Sequence, residues 1–246
     1  MTLADLHHAA TLLQIALAAL TVLALLRVRA PYGRHARPGW GPLIPARLGW
    51  ILMEAPAPLG FAWWAFREGA PSGAAALLAA LFLLHYVHRT FIFPFRIRAT
   101  GKTMPASIAA MAILFNLLNS FVQGAAVGGL VPATFGPHLV VGAALFLVGL
   151  AINLWADQVL IRLRRHDDGY HIPHGGLYRW ISCPNYFGEI LEWTGWAIAT
   201  ASLPGLAFAL YTAANLAPRA VDHHRWYHER FPDYPPDRKA LVPGLL

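Results

Sequence analysis

Apolar stretches long enough to cross a bilayer recur along this chain, and its basic residues gather in every second gap between them. The stretches run roughly over 6–26, 47–66, 73–93, 105–124, 136–160, 184–201 and 203–218, near the ~20 residues a helix needs to cross hydrocarbon. In lipid a segment must satisfy its own backbone, which makes such runs helices. Arg27, Arg29, Arg34, Arg37 and Arg47 border the first gap; Arg89, Arg96, Arg98 and Lys102 surround the third. Arg162, Arg164, Arg165 and Arg179 lie in the fifth, and Arg219, Arg225, Arg230, Arg238 and Lys239 follow the last stretch. Arg67 alone among the 19 basic residues sits in an even-numbered gap. The positive-inside rule makes the basic side cytoplasmic. The predicted fold is all-α: a polytopic membrane protein of seven transmembrane helices, N-terminus outside and C-terminus cytoplasmic. It reads as a single integral membrane domain over 1–246, with three helices in 1–104 and four helices, loops and tail in 105–246.

That segregation accounts for the net charge of +7 as topology, so nucleic acid is not an expected partner. Cys183 is the only cysteine, which leaves neither a disulfide framework nor a cysteine-based zinc site. Asp5 is the only charge before or within the first stretch, a pattern that predicts a retained first helix rather than a cleaved signal peptide.

Polar residues inside the apolar stretches point to function. Glu54 lies in the second, where a carboxylate costs ~3 kcal/mol on insertion scales. It must face a partner or a cavity, and no basic residue shares its depth on this placement of the spans. Pro56 and Pro58 interrupt the helix just after it. The third stretch ends with His85, Tyr86, His88 and Arg89, and Tyr86 and Arg89 share a face at i, i+3. Asn116, Asn119 and Gln123 form a stripe on the fourth, suited to interhelical hydrogen bonds or to lining a site. Asn153 and Asp157 stand one turn apart in the fifth. A basic cluster and the loop 169–176 follow, and Asn185, Glu189 and Glu192 open the sixth. Carboxylates and amides flanking a cationic loop suit a polar, anionic ligand partly sunk in a membrane. The first loop, with Tyr32 and Trp40, reads as an interfacial anchor or as one wall of such a site. The tail after Pro218 predicts a short cytoplasmic helix and then an extended proline-rich segment. No Gly-x-Gly-x-x-Gly fingerprint is present, which excludes a Rossmann domain.

Several blocks, in order, resemble the steroid 5-alpha-reductase family. They are His85-Tyr-Val-His-Arg-Thr, Asn153-Leu-Trp-Ala-Asp157, Ile172-Pro-His-Gly-Gly-Leu-Tyr178, Asn185-Tyr-Phe-Gly-Glu-Ile-Leu-Glu-Trp193, His223-His-Arg-Trp-Tyr227 and the proline-rich ending from Asp233. The resemblance runs from about Trp50 to the C-terminus. It implies a seven-helix fold and NADPH-dependent reduction of the conjugated C=C of a 3-oxo-4-ene steroid. By motif, Glu54 and Tyr86 stand where the family's ketone-polarising pair stands, and a carboxyl sharing its proton and a tyrosine hydroxyl can both donate to an oxygen gaining charge. The family's cofactor binders fall on Trp50, Arg98, Asn153, Asp157, Arg164, His171, Asn185, Glu189, Arg219, His223, Tyr227 and Arg238. His171 replaces a usual arginine, and Asp222 replaces a frequent third histidine. The implied partners are a steroid or steroid-like enone and the bilayer, with no metal.

Three other readings compete. Membrane di-iron enzymes also use three histidine clusters, but His85/His88, His171/His174 and His223-His224/His228 do not reproduce their spacings. The run from Gly175 to Gly195 also resembles, more weakly, isoprenylcysteine methyltransferases and sterol C14 reductases; the block at His85 and Glu54 favour the steroid branch. A non-enzymatic lipid-binding protein accounts less well for the one-sided charge. A polyprenol or another enone lipid would fit the same slot. The Ala/Arg/Pro/Gly bias leans towards a bacterial inner membrane over endoplasmic reticulum.

Overall fold

The computed structural model describes residues 1–31, 33–35, 37–164 and 169–246; Tyr32 and Arg165, singled out above, lie outside them. Among the described residues the helices are α1 (Leu3–Leu25), α2 (Ala46–Glu54), α3 (Pro56–Phe66), α4 (Gly73–Val87), α5 (Phe93–Arg96), α6 (Ala106–Ala125), α7 (Pro137–Leu163), α8 (Pro184–Thr200) and α9 (Leu203–Arg230). They fall on the seven apolar stretches, with α2–α3 and α4–α5 each filling one. Among the described residues four helical segments are long and apolar enough to cross a membrane: Leu3–Leu25, Gly73–Arg96, Ala106–Leu130 and Pro137–Leu163. Broken α2–α3 is two short pieces, α8 has only 17 residues, and the second half of α9 is polar.

Local sequence explains most boundaries. Thr2 and Asp5 form a reciprocal capping box at the start of α1, at 2.8 and 3.1 Å, satisfying two orphan N–H groups. Pro56 and Pro58 sit in the first turn of α3, where a missing N–H costs little. Ala55 keeps a right-handed helical backbone, so the expected interruption after Glu54 is a one-residue joint. A π-helical turn over His88–Ile92 connects α4 to α5.

Two features depart from expectation. Strands β1 (Leu43–Pro45) and β2 (Thr103–Pro105) pair antiparallel, Leu43 opposite Pro105, and tie the start of α2 to that of α6. Three-residue strands bounded by proline carry no readable period. The last apolar stretch and the tail helix are one: α9 continues for 28 residues through Pro218, at the cost of one backbone hydrogen bond. Beyond it the tail is extended, as expected. Ser182 N donates to Lys239 O and Lys239 N to Trp180 O, both at 2.8 Å, which pins the tail to the loop before α8.

Lipid offers no hydrophobic drive between helices, so association relies on close backbone packing. A Cβ on Gly149 would strike the Glu192 and Gly188 backbone, and one on Gly188 the Asn153 and Gly149 backbone. Gly142 and Gly195 repeat this seven residues away on the same two helices. The seam fixes the polar residues of α7 against those of α8. Around it lies an aromatic core of Phe61, Phe82, Phe146, Trp193, Trp196 and Phe208, with Phe61 stacked on Phe82 at 4.0 Å. Leu20, Trp63, Leu114 and Val140 face outwards and are at least 60% exposed, the outside-apolar pattern of a lipid-facing surface.

Candidate functional site

The glycine seam places Asn153 and Asp157 of α7 beside Asn185 and Glu189 of α8, and the π-helical turn after α4 delivers Arg89 between them. Arg89 Nη1 lies 3.2 Å from Asp157 Oδ2 and Nη2 3.9 Å from Glu189 Oε2. Asn185 Nδ2 donates to Asp157 Oδ1 at 3.1 Å. Asn153 Nδ2 donates to the Asn185 carbonyl at 3.0 Å and to Glu189 Oε2 at 3.3 Å. Trp50 completes the shell: its Nε1 donates to the Arg89 carbonyl at 3.1 Å, and its ring faces the Arg89 guanidinium at 4.9 Å. Five expected site residues, Trp50, Asn153, Asp157, Asn185 and Glu189, thus share one network.

Arg89 at its centre was not among them. The signal was available: a lone cation in a span, one turn from Tyr86, with intramembrane carboxylates left to match. Glu54 also lies in the field of Arg89, Glu189 and His85, and Asn116 donates to the carbonyl of its neighbour Met53 at 2.6 Å. The expectation that no basic residue shares the depth of Glu54 is therefore wrong. Arg89 is at the end of α4 by sequence, but the widened turn folds its side chain back towards α2.

Tyr86 is buried against Phe82 at 4.7 Å and Trp193 at 5.7 Å. Its neighbour His85 places Nδ1 2.8 Å from Glu192 Oε1, both side chains buried. Tyr86 and Glu54 therefore border the Arg89 network from α4 and α2.

A second cluster gathers where the first loop, the loop before α8, the end of α9 and the tail meet. Arg34 stands over the rings of Tyr170, Trp226 and Tyr227 at 5.1, 4.7 and 4.9 Å, and Arg164 over Tyr170 at 4.7 Å. Arg98 Nη1 donates to the Arg164 carbonyl at 3.4 Å. His35 stacks on His223, with Nε2 3.2 Å from Nδ1. Tyr186 Oη lies 3.0 Å from His223 Nε2 and accepts from Arg219 Nη2 at 3.1 Å. Burial, then the neighbouring Arg34, hold both imidazoles below the ordinary histidine range, His223 well below it. Arg238 is buried beneath Tyr234, which stacks on Tyr227. Arg219, His223, Tyr227, Arg164 and Arg98 thus converge with Arg34 and His35, two residues of the first loop that sequence reasoning left open. His171 stands exposed on the loop between α7 and α8.

The clusters differ in chemistry. The first offers carboxylates, amides and one guanidinium between helices; the second offers guanidinium and imidazole groups over aromatic rings. Arg238 Nε and Nη1 and Arg34 Nη1 are buried without a hydrogen-bond partner among the described residues, which suits an anion with several acceptor oxygens. Burial pushes the Cys183 thiol up to about 12, so it is an inert packing group. Among the described residues no group of three or more His, Cys, Asp or Glu is placed to hold a metal ion.

Residues 102–246 match the family model described as 3-oxo-5-alpha-steroid 4-dehydrogenase. The chain is 45% identical over 237 residues to a steroid 5-alpha-reductase of Gossypium hirsutum, covering 92% of each chain. It is 40% identical over 244 residues to the 3-oxo-5-alpha-steroid 4-dehydrogenase 1 of Rattus norvegicus, covering 94% of this chain and 92% of the relative. It is 40% identical over 225 residues to the human protein of the same name, covering 87% and 86%. With residue blocks, family model and near full-length relatives in agreement, the chain belongs to the steroid 5-alpha-reductase family.

Proposed function

We propose that this protein reduces the C4=C5 double bond of 3-oxo-4-ene steroids to 5-alpha-3-oxosteroids with NADPH. The observation that carries the reading is the pairing of two unlike polar clusters: an arginine and histidine cluster with unpaired buried N–H groups, and a carboxylate and amide network beside Glu54 and Tyr86.

The residues fit the cofactor in kind. Arg98, Arg164, Arg219 and Arg238, with His171, His223 and Tyr227, would hold its phosphates and adenosine, since guanidinium pairs with phosphate in bidentate fashion. Arg34 joins that set through Nη1, which has no partner among the described residues. Trp50, Asn153, Asp157, Asn185 and Glu189 would hold the carboxamide and ribose hydroxyls. When bound, NADPH supplies the hydride. Tyr86 and Glu54 donate hydrogen bonds to the substrate ketone oxygen, where negative charge grows as the double bond is reduced. Arg89 balances the charge of Asp157 and Glu189 and holds that wall in place.

The alternation of basic loops supports seven spans with the N-terminus outside and the C-terminus cytoplasmic, which puts the arginine cluster on the NADPH-accessible side. Multi-pass membrane integration suits either candidate membrane; the compositional lean towards a bacterial inner membrane has no counterpart among the plant and mammalian relatives above.

The test is NADPH oxidation by membranes carrying the protein, with testosterone or progesterone added. Steroid-dependent oxidation and a product two mass units heavier are expected. Oxidation that ignores the steroid, or none at all while NADPH still binds, contradicts the reading.

A further inference from the structure

Buried polar groups join the first half of α1 to the second half of α6. His7 Nε2 lies 2.8 Å from the Val122 carbonyl oxygen, and Gln14 Nε2 donates to Asn119 Oδ1 at 2.9 Å. Gln123 accepts from Trp196 Nε1 at 2.9 Å and donates to the Pro204 carbonyl at 2.8 Å. Gln123 therefore uses both ends of its amide. The Gln14–Asn119 pair does not. Both side chains are fully buried, yet Gln14 Oε1 and Asn119 Nδ2 have no hydrogen-bond partner among the described residues.

The imbalance does not depend on how the amides are oriented. Exchanging N and O in both preserves the bond between them and again leaves one donor and one acceptor unused. A hydroxyl group is the complement of that pair, because it donates through its hydrogen and accepts on its oxygen. In hydrocarbon, two unused amide atoms cannot turn to bulk water instead.

The pair also stands in a useful place. Asn116 donates to the Met53 carbonyl, next to Glu54, at 2.6 Å. Asn119 follows on the same stripe of α6, ~4.5 Å further along at 1.5 Å per residue. A rigid substrate with its ketone at Glu54 would bring its remaining rings towards this stripe.

We propose that Gln14 and Asn119 form a subsite for a hydroxyl group on the substrate's ring system, away from the reacting enone. It rests on the placement of the ketone at Glu54 and Tyr86, and it makes the enzyme selective among 3-oxo-4-ene steroids for one that carries such a hydroxyl.

The test compares three 3-oxo-4-ene steroids: one with no other oxygen, one with a hydroxyl at C17 and one with a hydroxyl at C11. The wild-type protein is expected to favour one hydroxylated member over the parent by about tenfold or more in kcat/KM, since a site built to bond a hydroxyl rejects the analogue lacking it. In the Gln14→Leu/Asn119→Leu double variant that ratio is expected to fall to within about twofold of unity. Replacing both amides leaves no orphaned partner, so the double variant is expected to fold. Gln14→Met alone is the second check and must move the ratio the same way; it decides if the double variant is lost. A wild-type protein that reduces all three without preference, or a preference that survives the substitutions, overturns the subsite and leaves the enone reading standing. Reduction of none of the three removes the enone reading and the subsite with it.

Discussion

The Arg89 network and the Arg34–Arg238 cluster are built from similar side chains but stand in opposite states of completion. Around Arg89 the guanidinium meets two carboxylates, and the amides of Asn153 and Asn185 satisfy those carboxylates in turn. In the second cluster Arg34 and Arg238 keep buried N–H groups without a partner among the described residues, and burial, then the neighbouring arginines, disfavour the charged forms of His35 and His223. Arg89 has its counter-charges within the protein, whereas the second cluster leaves guanidinium N–H groups for which the proposed cofactor supplies acceptors. On that proposal the same residue type, arginine, holds a wall in one region and binds ligand in the other, and composition alone does not separate the roles.

Stability separates the regions most sharply. Arg89→Met leaves Asp157 and Glu189 without their cation and is expected to cost about 3–5 kcal/mol, read as a lower thermal midpoint in detergent. Arg238→Met removes a buried guanidinium that is not fully paired, so the ligand-free midpoint is expected to hold or rise. Equal losses in the two variants would erase the distinction.

Chemistry comes next. Tyr86→Phe and Glu54→Leu are each expected to lower kcat by about 10²–10³-fold, the usual loss when one donor to a developing oxyanion is removed. NADPH binding is expected to change little in either, and a large binding defect would move those residues into the cofactor's walls. Arg238→Met is the reverse case: an NADPH KM higher by about ten- to a hundredfold with smaller change in kcat. An unchanged KM would take Arg238 out of the phosphate site.

The smallest effect is in pH. His35 and His223 titrate below their ordinary value of 6.5 in the folded chain. As pH falls below about 6.5 the unfolded chain takes up protons that the folded chain refuses. Stability present above that pH is therefore lost towards the depressed folded values. Bound phosphate reverses the local field and lets the imidazoles charge, so NADPH affinity is expected to rise a few-fold between about pH 7.5 and 6. Affinity that stays flat, with stability also flat, would remove the two histidines from the site.

Much of this was legible in the sequence, for reasons that also mark its limits. Hydropathy placed the helices, because lipid leaves a long apolar run no alternative to helix. The cost of intramembrane carboxylates singled out Glu54, Asp157 and Glu189. Partnership was harder. Gly142 and Gly149, like Gly188 and Gly195, are visible as seven-residue spacings, but nothing in one helix says which other helix it meets. Arg89 was assigned to the cytoplasmic end of its span because a regular helix puts it there; the π-helical turn that redirects it has no residue signature. The β1–β2 ribbon is too short to show a period. The amides of Gln14 and Asn119, 105 residues apart, read as unrelated polar interruptions until the fold sets them side by side.

The most direct measurement follows the hydrogen. Membranes carrying the protein are supplied with NADPH deuterated at the transferred position and with a 3-oxo-4-ene steroid, and the product is mapped by NMR. The account requires deuterium at C5, ordinary hydrogen from solvent at C4, an intact 3-ketone, and label transfer slowed by about 10²–10³-fold in Tyr86→Phe. Deuterium at C3, which would mean that the carbonyl is reduced, or label transfer at an undiminished rate in Tyr86→Phe, would contradict it.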